Sequence, residues 1–299
     1  MSANKQSHFI PILQALLVTF LWSTSFIIIK WGLIEIPPIT FAGLRYSLAF
    51  ICFIPLVLRK KYVTEIKNLS GKQWLQLILL GIIFYTFTQG TQFLGLSLLP
   101  SVTVSLMLNF TPLLVAILGV FMINEKPTVL QWFGGALFII GIFTYFSPLS
   151  SIQGQLTGLV VMIVGVIANA MASILGRNIN RSKNISPLVV TFISMGIGAA
   201  LLLLIGIGQS GIPHISYKNW LFIIWLAVIN TALAFTLWNH TLRSLSAMES
   251  SIINGTMLIQ IAILAWIFLG ESITMINGVG MLIASIGAIL VQLKPKTKH

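Results

Sequence analysis

Residues Trp74 to Thr144, moved along the chain by 146 positions, fall on Trp220 to Leu290 without a gap, and both stretches are almost wholly apolar. Trp74 then meets Trp220, Ser105 meets Ser251, and Ala116-Ile117-Leu118 meets Ala262-Ile263-Leu264. Further along, Glu125 meets Glu271, Thr128 meets Thr274, Gly134 meets Gly280 and Gly141 meets Gly287. Whatever the chain folds into must therefore contain one apolar unit twice. Long apolar segments with weak internal symmetry are the pattern of membrane bundles that place a pathway between two copies.

Charge decides the solvent. Only 7% of the residues are charged and 57% are hydrophobic, whereas a soluble domain carries about 25% charged residues. This excludes a water-solvated surface and points to an integral membrane protein. The net charge of +12 would ordinarily suggest a nucleic-acid partner. Here the cations lie in loops and at the tail, where a lipid-facing cytoplasmic surface accounts for them, so no nucleic acid is expected. The single Cys52 lies inside an apolar run, which rules out an intrachain disulfide and suits a buried small hydrophobe. The first apolar segment, 9–29, is longer than the core of a signal peptide and reads as a retained helix.

Crossing the hydrocarbon layer takes about 20 apolar residues. Ten segments meet that requirement, near 10–30, 38–58, 73–95, 98–122, 128–146, 154–176, 187–207, 218–240, 245–269 and 274–293. Prolines and glycines punctuate them, and Ser70 with Gln73 and Thr128 with Gln131 have capping-box spacing at helix starts. With the N-terminus inside, fourteen of the seventeen Lys and Arg residues fall on cytoplasmic segments. Lys30 and Lys218 fall on the other side and Arg45 within a span, so both termini are expected in the cytoplasm. Five crossings per copy turn the second copy upside down. The expected fold is an all-α integral membrane protein of ten transmembrane helices, arranged as two five-helix inverted-topology repeats over 10–146 and 154–293.

Several local patterns resemble one known family. Leu21-Trp22-Ser23-Thr24-Ser25-Phe26 looks like the "W-G-S/T-x-F/N" opening of the drug/metabolite transporter superfamily, EamA-like branch. Phe41 to Phe50 resembles that family's second helix, with Arg45 near its start. Pro112 through Glu125, with Thr128, Gly134, Gly135 and Gly141, is similar to its Glu–Thr–Gly block, and Phe268 to Thr274 with Gly278, Gly280 and Gly287 repeats it. Three positions depart from the pattern: Ser23 and Asn124 stand where Gly is usual, and Leu258 stands where the first copy has Pro112. The resemblance covers nearly the whole chain. It implies a secondary transporter of amino acids or related small metabolites.

Polar residues recur at helical spacing on several spans. Glu249, Thr256 and Gln260 share one stripe of the ninth span, and Tyr85, Gln89 and Gln92 one stripe of the third. Ser101, Ser105 and Pro112 line a face of the fourth with Asn109 at its edge, and Pro112 is expected to free the carbonyl of Leu108. Trp22, Asn169, Trp238 and Asn254 add stacking or hydrogen-bonding groups. Stripes on so many spans cannot all face lipid. Trp22, Tyr85, Gln89, Gln92, Asn109, Asn169, Trp238, Asn254 and Gln260 are therefore the candidate substrate-binding residues of a central polar cavity. Interhelical hydrogen bonding, at about 0.6 kcal/mol each, is the competing use for such groups.

Glu249 is either interfacial or, if deeper, the acidic group facing that cavity and the candidate proton-coupling site. Glu125 and Glu271 read as helix-end caps, and Pro112, Gly134 and Gly280 as structural residues. Arg45 is expected to snorkel to the near surface. Scattered His residues and the lack of a Gly-rich phosphate loop leave no expected metal, cofactor or catalytic group.

The expectation is a secondary active transporter of the cytoplasmic membrane, exporting small metabolites by alternating access, with protons as the candidate coupling ion. A sugar-phosphate or nucleotide-sugar exchanger is the alternative within transporters, and it would need several cavity cations. A polytopic membrane enzyme or a scaffold is the alternative outside them.

Overall fold

The computed structural model describes residues 3–123, 128–147, 154–181, 184–242, 244–245 and 247–292, and these residues form helices and turns with no strand among them. In lipid a backbone must satisfy its own polar groups, and helices do so segment by segment. The chain opens with α1 (Ala3–Gly32), α2 (Pro38–Val57) and the short, basic α3 (Lys60–Lys67). The third crossing joins α4 (Gly71–Leu80), a π-helical segment (Gly81–Gln89) and α5 (Gly90–Leu98). The fourth comprises α6 (Ser101–Leu108) and α7 (Thr111–Ile123). Next come α8 (Val129–Tyr145), α9 (Leu156–Arg181) and α10 (Pro187–Ser210). The eighth crossing is α11 (Tyr217–Ala227), a second π-helical segment (Val228–Leu233) and α12 (Ala234–Thr241), and α13 (Ala247–Leu269) and α14 (Met275–Gln292) close the chain.

Among the described residues nine segments are long and apolar enough to cross a bilayer, and α8 is a shorter apolar helix. Its 17 residues rise about 25 Å, close to the thickness of the hydrocarbon layer. With it the described residues supply the ten membrane helices the sequence calls for.

Two details differ from the sequence reading. The fourth crossing is broken by a turn at Asn109-Phe110, and Pro112 sits in the first turn of α7. A proline there loses no hydrogen bond, because the first amides of a helix have no partner in any case. The third crossing is π-helical over Gly81–Gln89, so a uniform 100° per residue does not describe its faces.

The helices pack as two compact units. One contains Met1–Ile27, Leu99–Thr157 and Leu233–His299, and the other Ile28–Leu98 and Gly158–Ala232. Each unit thus draws helices from both halves of the sequence.

In the first unit α8 and α14, the last helices of the two sequence repeats, lie against each other along their glycines. A methyl group on Gly134 would meet Leu290 and the backbone of Gly287, and one on Gly141 would meet the backbone of Ala284 and Gly280. Hydrogen bonds close both ends of the pair in the same way. The Gln131 side chain donates to the carbonyl of Val291 at 3.0 Å, and the Asn277 side chain donates to that of Tyr145 at 2.7 Å. Gln131 and Asn277 are repeat equivalents, and so are Tyr145 and Val291. Each bond joins the start of one helix to the end of the other. The two helices therefore run antiparallel, which is the arrangement inverted repeats require. Their starts match as well, with Thr128 capping α8 through Gln131 and Thr274 capping α14 through Asn277.

In the second unit α10 is the central helix. Gly206 faces Thr40, Gly43 faces Leu203 and Gly196 faces Phe50, so α2 runs antiparallel to α10. Gly81 faces Ser194 and Gly198 faces Tyr85, so the third crossing runs parallel to it. An apolar cluster of Leu77, Leu80, Ala172, Ile179, Val189 and Ile193 fills the space beside them.

Candidate functional site

Several of the candidate residues gather in one cluster per unit. In the first unit α1, α12 and α13 meet around Trp22 and Gln260. The Trp22 ring lies 5.3 Å from that of Trp238 and 5.4 Å from that of Phe235. One residue on, Ser23 donates to the Gln260 carbonyl oxygen at 3.0 Å. The Gln260 amide donates in turn to Thr256 at 2.9 Å and to Thr19 at 3.3 Å. The structure thus brings Trp22, Trp238 and Gln260 together, with Gln260 joining α1 to α13. Asn109 returns its side chain to the Ser105 carbonyl at 2.8 Å and so closes the end of α6. Asn254 lies on the exposed side of α13.

The cluster of the second unit contains Tyr85 and Gln89, as the sequence stripe suggests, around a group that the stripe does not include. Tyr46 donates its hydroxyl to the Gln89 carbonyl oxygen at 2.6 Å, and its ring meets that of Tyr85 edge-on at 5.4 Å. Beside it, the Arg45 Nε donates to the Thr231 hydroxyl at 3.1 Å, and the guanidinium carbon lies 5.2 Å from the Tyr46 ring centre. Arg45 is only 5% exposed. The expectation that it snorkels to the surface is therefore wrong. Hydropathy places it near the end of its own helix, and nothing in that signal shows that Thr231, far along the chain, covers it. Gln92 and Asn169 are half-buried on α5 and α9.

The described acidic residues share one kind of position, at helix starts. The Glu271 carboxylate accepts the backbone N–H groups of Ser101 at 2.7 Å and Val102 at 3.2 Å, at the start of α6. Glu65 accepts the backbone N–H of Ser186, the residue before α10. Glu35 accepts the Asn219 side chain at 2.6 Å and interacts with Ser216, the cap of α11. Those hydrogen bonds from Ser216 and Asn219 hold its carboxyl below the usual glutamate range. Glu249 lies half-buried in the first turn of its own helix, three residues ahead of the apolar span Ile252–Leu269. Helix starts present free amides and a positive dipole end, so they stabilise carboxylates. Glu125 lies outside the described residues. Among the described residues no group of three His, Cys, Asp or Glu could hold a metal.

The profile of the EamA-like transporter family matches this chain twice, over residues 9–147 and 156–293. An uncharacterized transporter of Bacillus subtilis, YoaV, is 24% identical over 91% of this chain and 93% of its own length. A probable amino-acid metabolite efflux pump of Salmonella typhimurium is 26% identical, over 93% of this chain and 90% of its own. An S-adenosylmethionine/S-adenosylhomocysteine transporter of Chlamydia trachomatis is 24% identical over 85% and 80%. One solved crystal structure shares the fold at a TM-score of 0.67, with 16% identity over 94% of this chain and 96% of that one.

Proposed function

The chain belongs to the EamA-like transporter family, and on that premise we propose that it exports amino acids or closely related metabolites across the cytoplasmic membrane by alternating access. One observation carries the mechanism. The reciprocal bonds of Gln131 with Val291 and of Asn277 with Tyr145 join α8 and α14 as antiparallel equivalents. A protein built from two copies of opposite orientation has two similar conformations that face opposite sides, because each copy can adopt the other's shape. The Salmonella relative is named as a probable amino-acid metabolite efflux pump and the Chlamydia relative as a transporter of S-adenosylmethionine and S-adenosylhomocysteine, two amino-acid derivatives, which supports this substrate class.

In this reading Trp22, Trp238 and Gln260 in one unit, and Tyr85, Gln89 and Gln92 in the other, serve the substrate. Asn109, Asn169 and Asn254 supply further hydrogen bonds as the helices move. Glu249 is the proton-coupling residue. It differs from Glu35, Glu65 and Glu271 in lying in the first turn of its own long helix, three residues ahead of an apolar span. In this reading Glu249 takes up a proton that moves inward in exchange for the substrate moving outward.

Metabolite profiling of cells with and without the gene tests substrate and direction together. Media from expressing cells should be enriched in one or a few amino-acid-like compounds, with the matching intracellular pools lowered. An unchanged profile, or accumulation inside the cells, contradicts export.

A further inference from the structure

We propose that Arg45 is the binding residue for a carboxylate of the transported molecule, held in place by the two π-helical segments. The proposal rests on the transporter reading above and names the chemistry its substrate must carry.

Arg45 lies about 10 Å along α2 from Pro38 and is 5% exposed. A guanidinium has five N–H donors and no acceptor. One of them, on Nε, goes to Thr231. Among the described residues no carboxylate and no further acceptor takes the rest. A permanent charge kept inside a membrane bundle without a counter-ion is costly, and residues of this kind mark binding sites or ion paths.

The surroundings hold this group in one orientation. Thr231 gives its own proton to the carbonyl of Leu226, five residues back, at 2.8 Å. Its oxygen lone pairs are therefore left to face the guanidinium. Thr231 belongs to the π-helical segment Val228–Leu233, and Gln89, which fixes the neighbouring Tyr46, belongs to the π-helical segment Gly81–Gln89. The repeat shift of 146 residues lays the first of these segments inside the second. Both copies thus depart from α geometry at the same place, and both departures touch adjacent residues of α2. π-Turns inside α-helices occur frequently at functional sites.

With Nε engaged, the free edge of the guanidinium is its Nη1–Nη2 fork. That fork matches the two oxygens of a carboxylate, a bidentate pairing a lysine cannot make. One guanidinium balances one negative charge, which suits a carboxylate better than a phosphate dianion.

The test uses the purified full-length protein in lipid nanodiscs. Binding is measured for L-methionine, L-leucine and L-phenylalanine, each beside its primary amide, and for inorganic phosphate. The acids should bind at least tenfold more tightly than the amides, and phosphate should not displace them. Arg45→Gln should bring acid and amide within about threefold of each other, with Arg45→Lys intermediate. Thr231→Val, which leaves α2 intact, should weaken acid binding several-fold and spare the amides. A purely structural Arg45 would lower both ligands equally. Equal acid and amide binding by the wild type, a preference that survives Arg45→Gln and Thr231→Val, or displacement by phosphate would overturn the proposal. Export of compounds without a carboxylate would also end it while leaving the transporter reading intact. Acid-selective binding without any flux would sustain it and end that reading instead.

Discussion

At the scale of single residues, the scarce carboxylates are informative because Glu35, Glu65 and Glu271 each tie the start of another helix. Glu271 closes the start of α6 with two charge-assisted bonds to Ser101 and Val102. Glu271→Ala strands two partly buried amides and should destabilise the protein by about 2 kcal/mol. Thermal unfolding of the detergent-solubilised protein measures it, and Glu271→Gln should recover part of the loss. Glu35 adds a pH dependence. Its carboxyl is held below its ordinary value, so the stabilisation it gives is present above the unfolded glutamate range. That stabilisation disappears as the pH falls through the folded value. Glu35→Gln should therefore lower the melting temperature slightly at neutral pH and not at all in acid. Glu249→Gln should abolish substrate flux driven by an imposed pH gradient, measured per amount of folded protein. Full flux in that variant would return Glu249 to the helix-start role its neighbours play.

At the scale of helices, the sequence is most legible where a local rule sets the outcome. Ser70 and Thr128 cap their helices through Gln73 and Gln131 as their spacing predicts, because a capping box depends on four consecutive residues. The small residues Gly134, Gly141 and Gly280 likewise mark the α8–α14 contact. This contact yields a sharp comparison on one helix. Gly280→Ala pushes a methyl group into the backbone of Tyr145 and should cost about 1–3 kcal/mol, whereas nothing lies within 4 Å of a methyl group at Gly278. Gly278→Ala should be neutral or slightly stabilising, since alanine favours the helix. Equal effects in thermal unfolding would contradict the packing. The π-helical segments could not be read in advance. Periodicity counting assumes one turn length, and an extra residue per turn leaves no mark in composition. Arg45 was misjudged for a related reason: its burial depends on Thr231, 186 positions away.

At the scale of the whole molecule, the gapless repeat and its odd number of crossings were enough to anticipate ten helices in opposed halves. The polar clusters proposed to serve the substrate were only half visible. Polar stripes find Tyr85, Gln89 and Gln260, but they cannot tell a group that receives substrate from one that ties two helices, as Gln260 ties α1 to α13. The opposed halves are the claim on which alternating access depends, and labelling tests them most directly. Lys72 and Lys218 are repeat equivalents, and both are exposed at helix starts. In a Cys52→Ser background, Lys72→Cys and Lys218→Cys are treated in intact cells with a membrane-impermeant maleimide. The inverted arrangement predicts that Lys218→Cys reacts from outside and Lys72→Cys only after the membrane is opened. Labelling of both from the same side would contradict it.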